Sequence, residues 1–182
     1  MAARFFYIIV LGFSVWLGAT SHVSFAQSAQ SKSQKDIWNP EQLLKHIEKQ
    51  HPASYFMLAT KLFERGEKEE AVFWFYVGQI RFRSYLGENP QLKESGDPAL
   101  FGSLMATVGP PINEYAFGDI PALMKTIDRA LEWDAAHDDA FSKKGKIRDE
   151  MRQGLVDMKK QVLEQQDDIR ATRKKNGLEN RK

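Results

Sequence analysis

The stretch Ala71-Val72-Phe73-Trp74-Phe75-Tyr76-Val77-Gly78 decides the reading of this chain. It carries no charge, and it sits between Lys68-Glu69-Glu70 and the mixed segment Gln79-Ile80-Arg81-Phe82-Arg83. As a helix it is apolar on every side, and such a helix has no face to give to solvent. The segment from about Lys68 to Leu86 is therefore predicted to be the central helix of the fold, with other helices packed around it. Upstream, Arg65-Gly66-Glu67 reads as a turn. Before it, Tyr55, Leu58, Ala59, Leu62 and Phe63 recur at helical spacing, which predicts a helix over 52–64. His51-Pro52 separates that helix from an earlier one, because proline is tolerated only in a first turn. Asn39-Pro40-Glu41-Gln42 supplies an N-cap, a proline at the first helical position and a glutamine at the third. Leu43, Leu44 and Ile47 give that first helix an apolar face.

Downstream, Gly87-Glu88-Asn89-Pro90 ends the central helix, and Asp97-Pro98 opens the next, running to Val108. Gly109-Pro110-Pro111 is expected to break the chain before a short helix over 112–117. Pro121 to Trp133 is amphipathic, with Leu123, Met124, Ile127, Ala130 and Leu131 inward. A long polar helix is predicted over 140–173. Its apolar residues Met151, Leu155, Met158, Val162 and Ile169 fall at spacings of four, three, four and seven, a heptad stripe. That stripe suits packing along the body or pairing with another chain. Residues 174–182 read as a frayed tail. No segment alternates with period two, so the fold class is all-α.

The two helices around Gly66 resemble a tetratricopeptide repeat. Tyr55, Leu58, Ala59 and Leu62 match the aromatic, leucine, small and large positions of the first helix. Ala71, Phe75 and Gly78 match the small, aromatic and small positions of the second. Small residues let two helix backbones approach while the aromatics fill the remaining groove. The run 71–76 is also similar to the second helix of a Sel1-type repeat. The resemblance covers residues 54–83, and Arg83 stands where the repeat has its terminal proline. A weaker match spans about 105–133, around Gly118, with Pro111 at a position that should be small. The two turns are 52 residues apart, against about 34 in a regular array. Two architectures fit: a compact antiparallel helical bundle, or a degenerate tetratricopeptide-like array, each with a long C-terminal helix. The resemblance implies a scaffold that binds proteins or peptides.

The first 26 residues have the layout of a secretory signal: Arg4, an apolar run from Phe5 to Leu17, and Ser24-Phe25-Ala26 before Gln27. The apolar run is shorter than the ~20 residues of a membrane span. Cleavage near Ala26-Gln27 would deliver the chain to the periplasm or outside the cell. It would leave no stable membrane span. Residues 27–37 read as a disordered leader, 38–139 as the helical-repeat-like body, 140–173 as the amphipathic C-terminal helix. With no cysteine, neither disulfides nor thiolate metal sites can hold the fold. Net charge is +2, but it is unevenly placed. Residues 27–142 carry 12 Lys and Arg against 17 Asp and Glu, and residues 143–182 carry 13 against 7. A basic tail can meet anionic partners. In an exported chain it reads as a solvated basic helix, not as a nucleic-acid surface.

Motifs of catalysis are missing: there is no G-x-S-x-G, no S-x-x-K and no glycine-rich phosphate loop. The histidines lack the spacing of a zinc helix, and no metal or cofactor is expected. Asp134, His137, Asp138 and Asp139 form a local acidic cluster that reads as the start of a helix. Gln79, Arg81 and Arg83 are the informative polar residues, because they follow the apolar run on the most buried helix. Such charges need partners. Glu64, Glu67 and Glu114 are candidates for an internal ion pair. The functional alternative is a groove that binds an anion or carboxylate, with Trp74 or Tyr76 beside it; Asn113 and Glu114, on the short helix, are the other polar candidates for such a groove. The expected function is an exported helical adaptor that holds a protein partner, such as an immunity-type inhibitor or an assembly factor. Two other classes compete: an envelope enzyme using carboxylates such as Glu69, Glu70 and Glu114, and a structural oligomer seamed by the C-terminal helix.

Overall fold

A computed structural model describes residues 39–182 of the chain. The signal peptide and leader expected over 1–37 lie outside the described residues. The fold is all-α. Among the described residues there are eight α-helices, one 3-10 turn at Ile47–Lys49 and no strand. The helices are α1 (Pro40–Leu44), α2 (Ala53–Glu64), α3 (Lys68–Glu88), α4 (Asp97–Thr107), α5 (Gly109–Ala116), α6 (Ile120–Ala136), α7 (Lys146–Glu164) and α8 (Gln166–Lys175).

Helix α3 is the axis of the molecule. Every residue from Ala71 to Phe82 is buried. The other helices are arranged around it: α2, α5, α6 and α7 all pack against it. Helices α2 and α3 run antiparallel through the turn at Gly66, whose φ of 85° lies in the left-handed region that glycine adopts without a side-chain clash. Their backbones approach closely at Gly78, where an added Cβ would sit 2.8 Å from the Cβ of Tyr55. The aromatic side chains interlock at right angles: Phe56 meets Phe75 edge-on at 5.6 Å between centroids, and Trp74 meets Trp133 at 5.1 Å. Such edge-to-face pairs add to the burial of their area.

Four boundaries differ from the sequence reading, each for a local reason. The first helix stops at Leu44, because the Gln50 side-chain amide donates to the carbonyls of Leu43 and Lys45 and turns the chain there. His46 then takes a left-handed φ of 58°, and Ile47 reaches the core through the 3-10 turn instead. The short helix starts at Gly109, not at Ile112, and the break falls at Val108, since both prolines are accommodated in the first turn of α5. The long C-terminal helix starts at Lys146, not at Ala140. Asp139 Oδ1 accepts the N–H groups of Phe141 and Ser142, Ala140 N donates to Glu48 O, and Lys143 N donates to the Glu88 carboxylate. These bonds hold residues 140–145 in a loop. The helix is also divided at Gln165, where α7 gives way to α8.

The tail expected to fray is docked. Arg173 is buried and donates to the carbonyls of Glu114 and Glu179. Arg181 N donates to Gly118 O at 2.6 Å, and the Arg181 guanidinium lies 3.9 Å above the Tyr115 ring. The heptad stripe faces the body: Leu155, Met158 and Val162 are buried in the common core, while Val156 and Leu163 are exposed.

Candidate functional site

The groove expected from the sequence is not a single surface. Trp74 and Arg81 are seven residues apart and share one face of α3; Tyr76, Gln79 and Arg83 lie on another. Trp74, Tyr76, Gln79 and Arg81 are all buried. Tyr76 O–H donates to Asn113 Oδ1 at 3.2 Å, and burial raises its phenol pKa. Arg83 is half-buried with its guanidinium 5.1 Å above the Phe101 ring, and desolvation lowers its pKa. Asn113 joins the Tyr76 face. The Glu114 side chain is exposed, and only its carbonyl is engaged, by Arg173. A helix buried all round distributes its polar residues around its circumference, so residues close in sequence look in opposite directions.

On the Trp74 face the structure holds a buried ionic cluster. Arg81 Nε lies 2.6 Å from Asp134 Oδ1, and Arg81 Nη1 lies 3.1 Å from Asp139 Oδ2. Arg148 places Nε 3.2 Å and 3.1 Å from the two Asp134 oxygens. Arg152 adds a third guanidinium, with Nη1 3.1 Å from Asp134 Oδ2. The predicted partners Glu64, Glu67 and Glu114 are elsewhere: Glu64 pairs with Lys61 and Glu67 with Arg65. Geometry explains the difference, since at 1.5 Å per residue Glu67 and Arg81 stand about 20 Å apart along α3.

Asp134 was expected to belong to a helix start. It sits instead in the last turn of α6, where a carboxylate faces the negative end of the helix dipole. Three arginines reverse that penalty. They also donate to carbonyls at and near the helix end: Arg152 Nη1 to Leu131 O, Arg148 Nη2 to Asp134 O and His137 O, and Arg81 Nη2 to His137 O. Among the described residues no group of three or more acidic or histidine side chains could hold a metal ion. Three guanidinium groups against Asp134 and Asp139 leave the cluster one positive charge in excess. One part of it lacks a partner: Arg148 is 2% exposed, and its Nη1 makes no hydrogen bond. The sequence reading missed Arg148 and Arg152. The available signal was spacing, since Arg148 stands seven residues before Leu155 on the buried stripe of α7.

Beside the cluster lies a cavity of about 230 Å³ whose lining includes Lys144, Gly145, Arg148, Asp149 and Arg152. On the other side of Gly145 a more open depression of about 580 Å³ runs between Glu88 and Ile147. The carboxylates considered for acid-base chemistry are engaged separately, Glu69 by the Tyr115 hydroxyl and Glu70 by Arg129. The Tyr115 hydrogen bond holds the Glu69 carboxyl below the usual carboxylate range.

Helix α4 is unlike the other long helices. It reads Asp-Pro-Ala-Leu-Phe-Gly-Ser-Leu-Met-Ala-Thr, yet none of its residues is buried. Leu100 is 40% exposed, and Phe101, Leu104 and Met105 are half-buried on the edge of the core. Among the described residues no helix is long and apolar enough to cross a membrane.

No family model matches the chain. A segment of 87 residues is 32% identical to a protein of Haemophilus influenzae described only as an uncharacterized protein. The similarity covers 47% of this chain and 33% of that protein, so the chain matches about a third of its relative's length. No solved structure matches.

Proposed function

We propose that the chain is an exported helical adaptor that holds a protein partner, with α4 as its contact element. The observation that carries this reading is the composition of α4 against its burial: an apolar helix that buries no residue of its own. Leu100 is exposed, and Phe101, Leu104 and Met105 pack on the core with part of their surface left to solvent; apolar surface gathered on one helix is a feature of interaction sites. The tetratricopeptide-like helix pair at 54–83 supports the reading as a scaffold, and the signal-like N-terminus supports export. An immunity-type inhibitor and an assembly factor are the two concrete forms of such an adaptor.

Affinity capture from cell envelopes, using the tagged full chain beside its Leu100→Glu variant, tests this. Leu100 is exposed, so the variant is expected to fold normally. One stoichiometric protein recovered with the parent chain and lost with the variant is the expected result. Equal recovery by both chains would remove α4 from the reading. No recovered protein would count against the adaptor role itself.

A further inference from the structure

Helix α4 is held to the body by few contacts. None of its 11 residues is buried. Its apolar hold is at the edge of the core, where Phe101 meets Phe56 at 6.0 Å and Phe82 at 5.1 Å between ring centroids. Leu104 and Met105 lie beside it, and the Arg83 guanidinium sits over the Phe101 ring. A polar tie joins the first turn of α4 to α3 and to the start of α2. Asp97 Oδ2 accepts from the Tyr85 hydroxyl at 2.9 Å, and Asp97 Oδ1 lies 3.4 Å from His51 Nε2. Ala53 N donates to His51 Nδ1, so the neutral ring carries its hydrogen on Nε2, facing the carboxylate. The rings of Phe82, Tyr85 and Phe141 surround that imidazole edge-on. Both ends of α4 are suited to movement. Residues 93–96 before it are all exposed. After it, Pro110 and Pro111 have no N–H to give to the carbonyls of Ala106 and Thr107, so the helical ladder does not run on into α5. Gly109 is buried, and a Cβ added there would lie 3.6 Å from Phe75, so the start of α5 stays with the core.

We propose that α4 is a lid that opens as a unit about Val108, latched by the Asp97 carboxylate between Tyr85 and His51. A segment with little buried surface and a few polar ties lies at the low end of local stability, from which moving elements are drawn. Opening withdraws Phe101 and bares one side of Phe56 and Phe82, which are fully buried in the closed form. The apolar surface offered to a partner is then larger than the outer face of α4 alone. The lid concerns the same helix as the adaptor reading but needs no partner to exist, so the two stand or fall separately.

The test is hydrogen exchange of the full chain, with no partner present, read by mass spectrometry over α4 and over α3. Relative to their intrinsic rates, the amides of α4 should exchange at least about a hundredfold faster than those of residues 73–82. Their exchange should depend little on urea, because opening exposes little surface. Tyr85→Phe keeps the ring and removes the hydroxyl. It should speed α4 exchange about tenfold, as for the loss of a hydrogen bond to a carboxylate. Asp97→Ala releases His51 as well and should speed it further. Val162→Ala is the control, since Val162 is fully buried in α7 and stays packed when the lid opens. It should speed exchange in α3 and leave α4 unchanged. Protection of α4 equal to that of α3, or lost only with global unfolding in urea, would overturn the proposal, and that comparison in the parent chain needs no variant. So would α4 exchange that Tyr85→Phe does not move, or that follows Val162→Ala in step with α3. Independent opening of α4 with no protein recovered by affinity capture would establish the lid and reject the adaptor reading alone.

Discussion

Arg81 and Asp134 are 53 residues apart in sequence, and their side chains, both fully buried, meet across 2.6 Å. This pair joins the middle of the central helix to the end of α6. Through Arg148 on the same carboxylate, it also joins both to α7. Three helices are thus keyed at one point by charge, inside a core otherwise held by aromatic and aliphatic packing.

Removing one member of a buried ion pair leaves the other uncompensated, at about 3–5 kcal/mol. Arg81→Ala is therefore expected to be strongly destabilising. Asp134→Ala should be worse, because it strands three guanidinium groups where Arg81→Ala leaves Asp134 with two. Urea unfolding of both variants checks the order. A smaller effect for Asp134→Ala would show that Asp139 and the helix carbonyls suffice to hold the arginines.

Two glycines make opposite predictions. At Gly78 an added Cβ would lie 2.8 Å from the Cβ of Tyr55 and 3.2 Å from the Phe56 ring, and a Cβ cannot swing aside. Gly78→Ala is expected to lose about 1–3 kcal/mol, more than the helix propensity gained. At Gly102, within α4, nothing lies within 4 Å, so Gly102→Ala should gain up to about 1 kcal/mol. Thermal melts of the two variants on either side of the parent would bear this out.

The C-terminal stripe can be tested as packing rather than as an oligomer seam. Leu155→Ala should cost about 2–5 kcal/mol, as for a core leucine. Leu163→Ala, at an exposed position, should stay within about 0.5 kcal/mol. Sedimentation of Leu163→Ala should match the parent. A loss of mass with that variant would restore the seam.

Acid should weaken the fold in a particular way. Glu41 is held below its ordinary 4.5 by the Arg65 hydrogen bond, Glu69 by the Tyr115 hydrogen bond, and Asp138 below 3.8 by Lys144. Depressed folded values mean that each contribution is present above the ordinary value and lost as pH falls through the lowered one. Each should be small, since these groups are mostly at the surface. In base the sign reverses for Tyr55 and Tyr76, whose phenols are raised by burial. Their contribution is present below 10 and lost as pH climbs above it. Melting temperature against pH should therefore show a shallow acid decline that flattens in Glu69→Gln. An unchanged acid limb in that variant would remove Glu69 from the account.

Much of the architecture was legible in order. The apolar run at 71–78 marked the buried axis, the Asn39-Pro40 and Asp97-Pro98 pairs marked helix starts, and the inward residues of α6 and α7 followed from spacing alone. The functional reading of Trp74, Tyr76 and Arg81 as neighbours in a groove did not survive. On a helix buried all round, spacing says which residues share a face but not what each face meets. Arg148 was missed because a charged residue on an apolar stripe looks like an interruption until its partner is known.

By itself the sequence determined local matters: where most helices begin, which faces are apolar, and that the chain turns at Gly66. These depend on interactions within a few residues, and their signals are periodic or compositional. The tertiary structure decided the rest. It chose Asp134 and Asp139 over the nearer glutamates for Arg81, ended α1 at the Gln50 amide, and delayed α7 through bonds to Glu48 and Glu88. It also folded the tail back onto Gly118. Each of those outcomes rests on a contact between groups distant along the chain or on the geometry of one buried side chain, and neither has a period that a sequence can display.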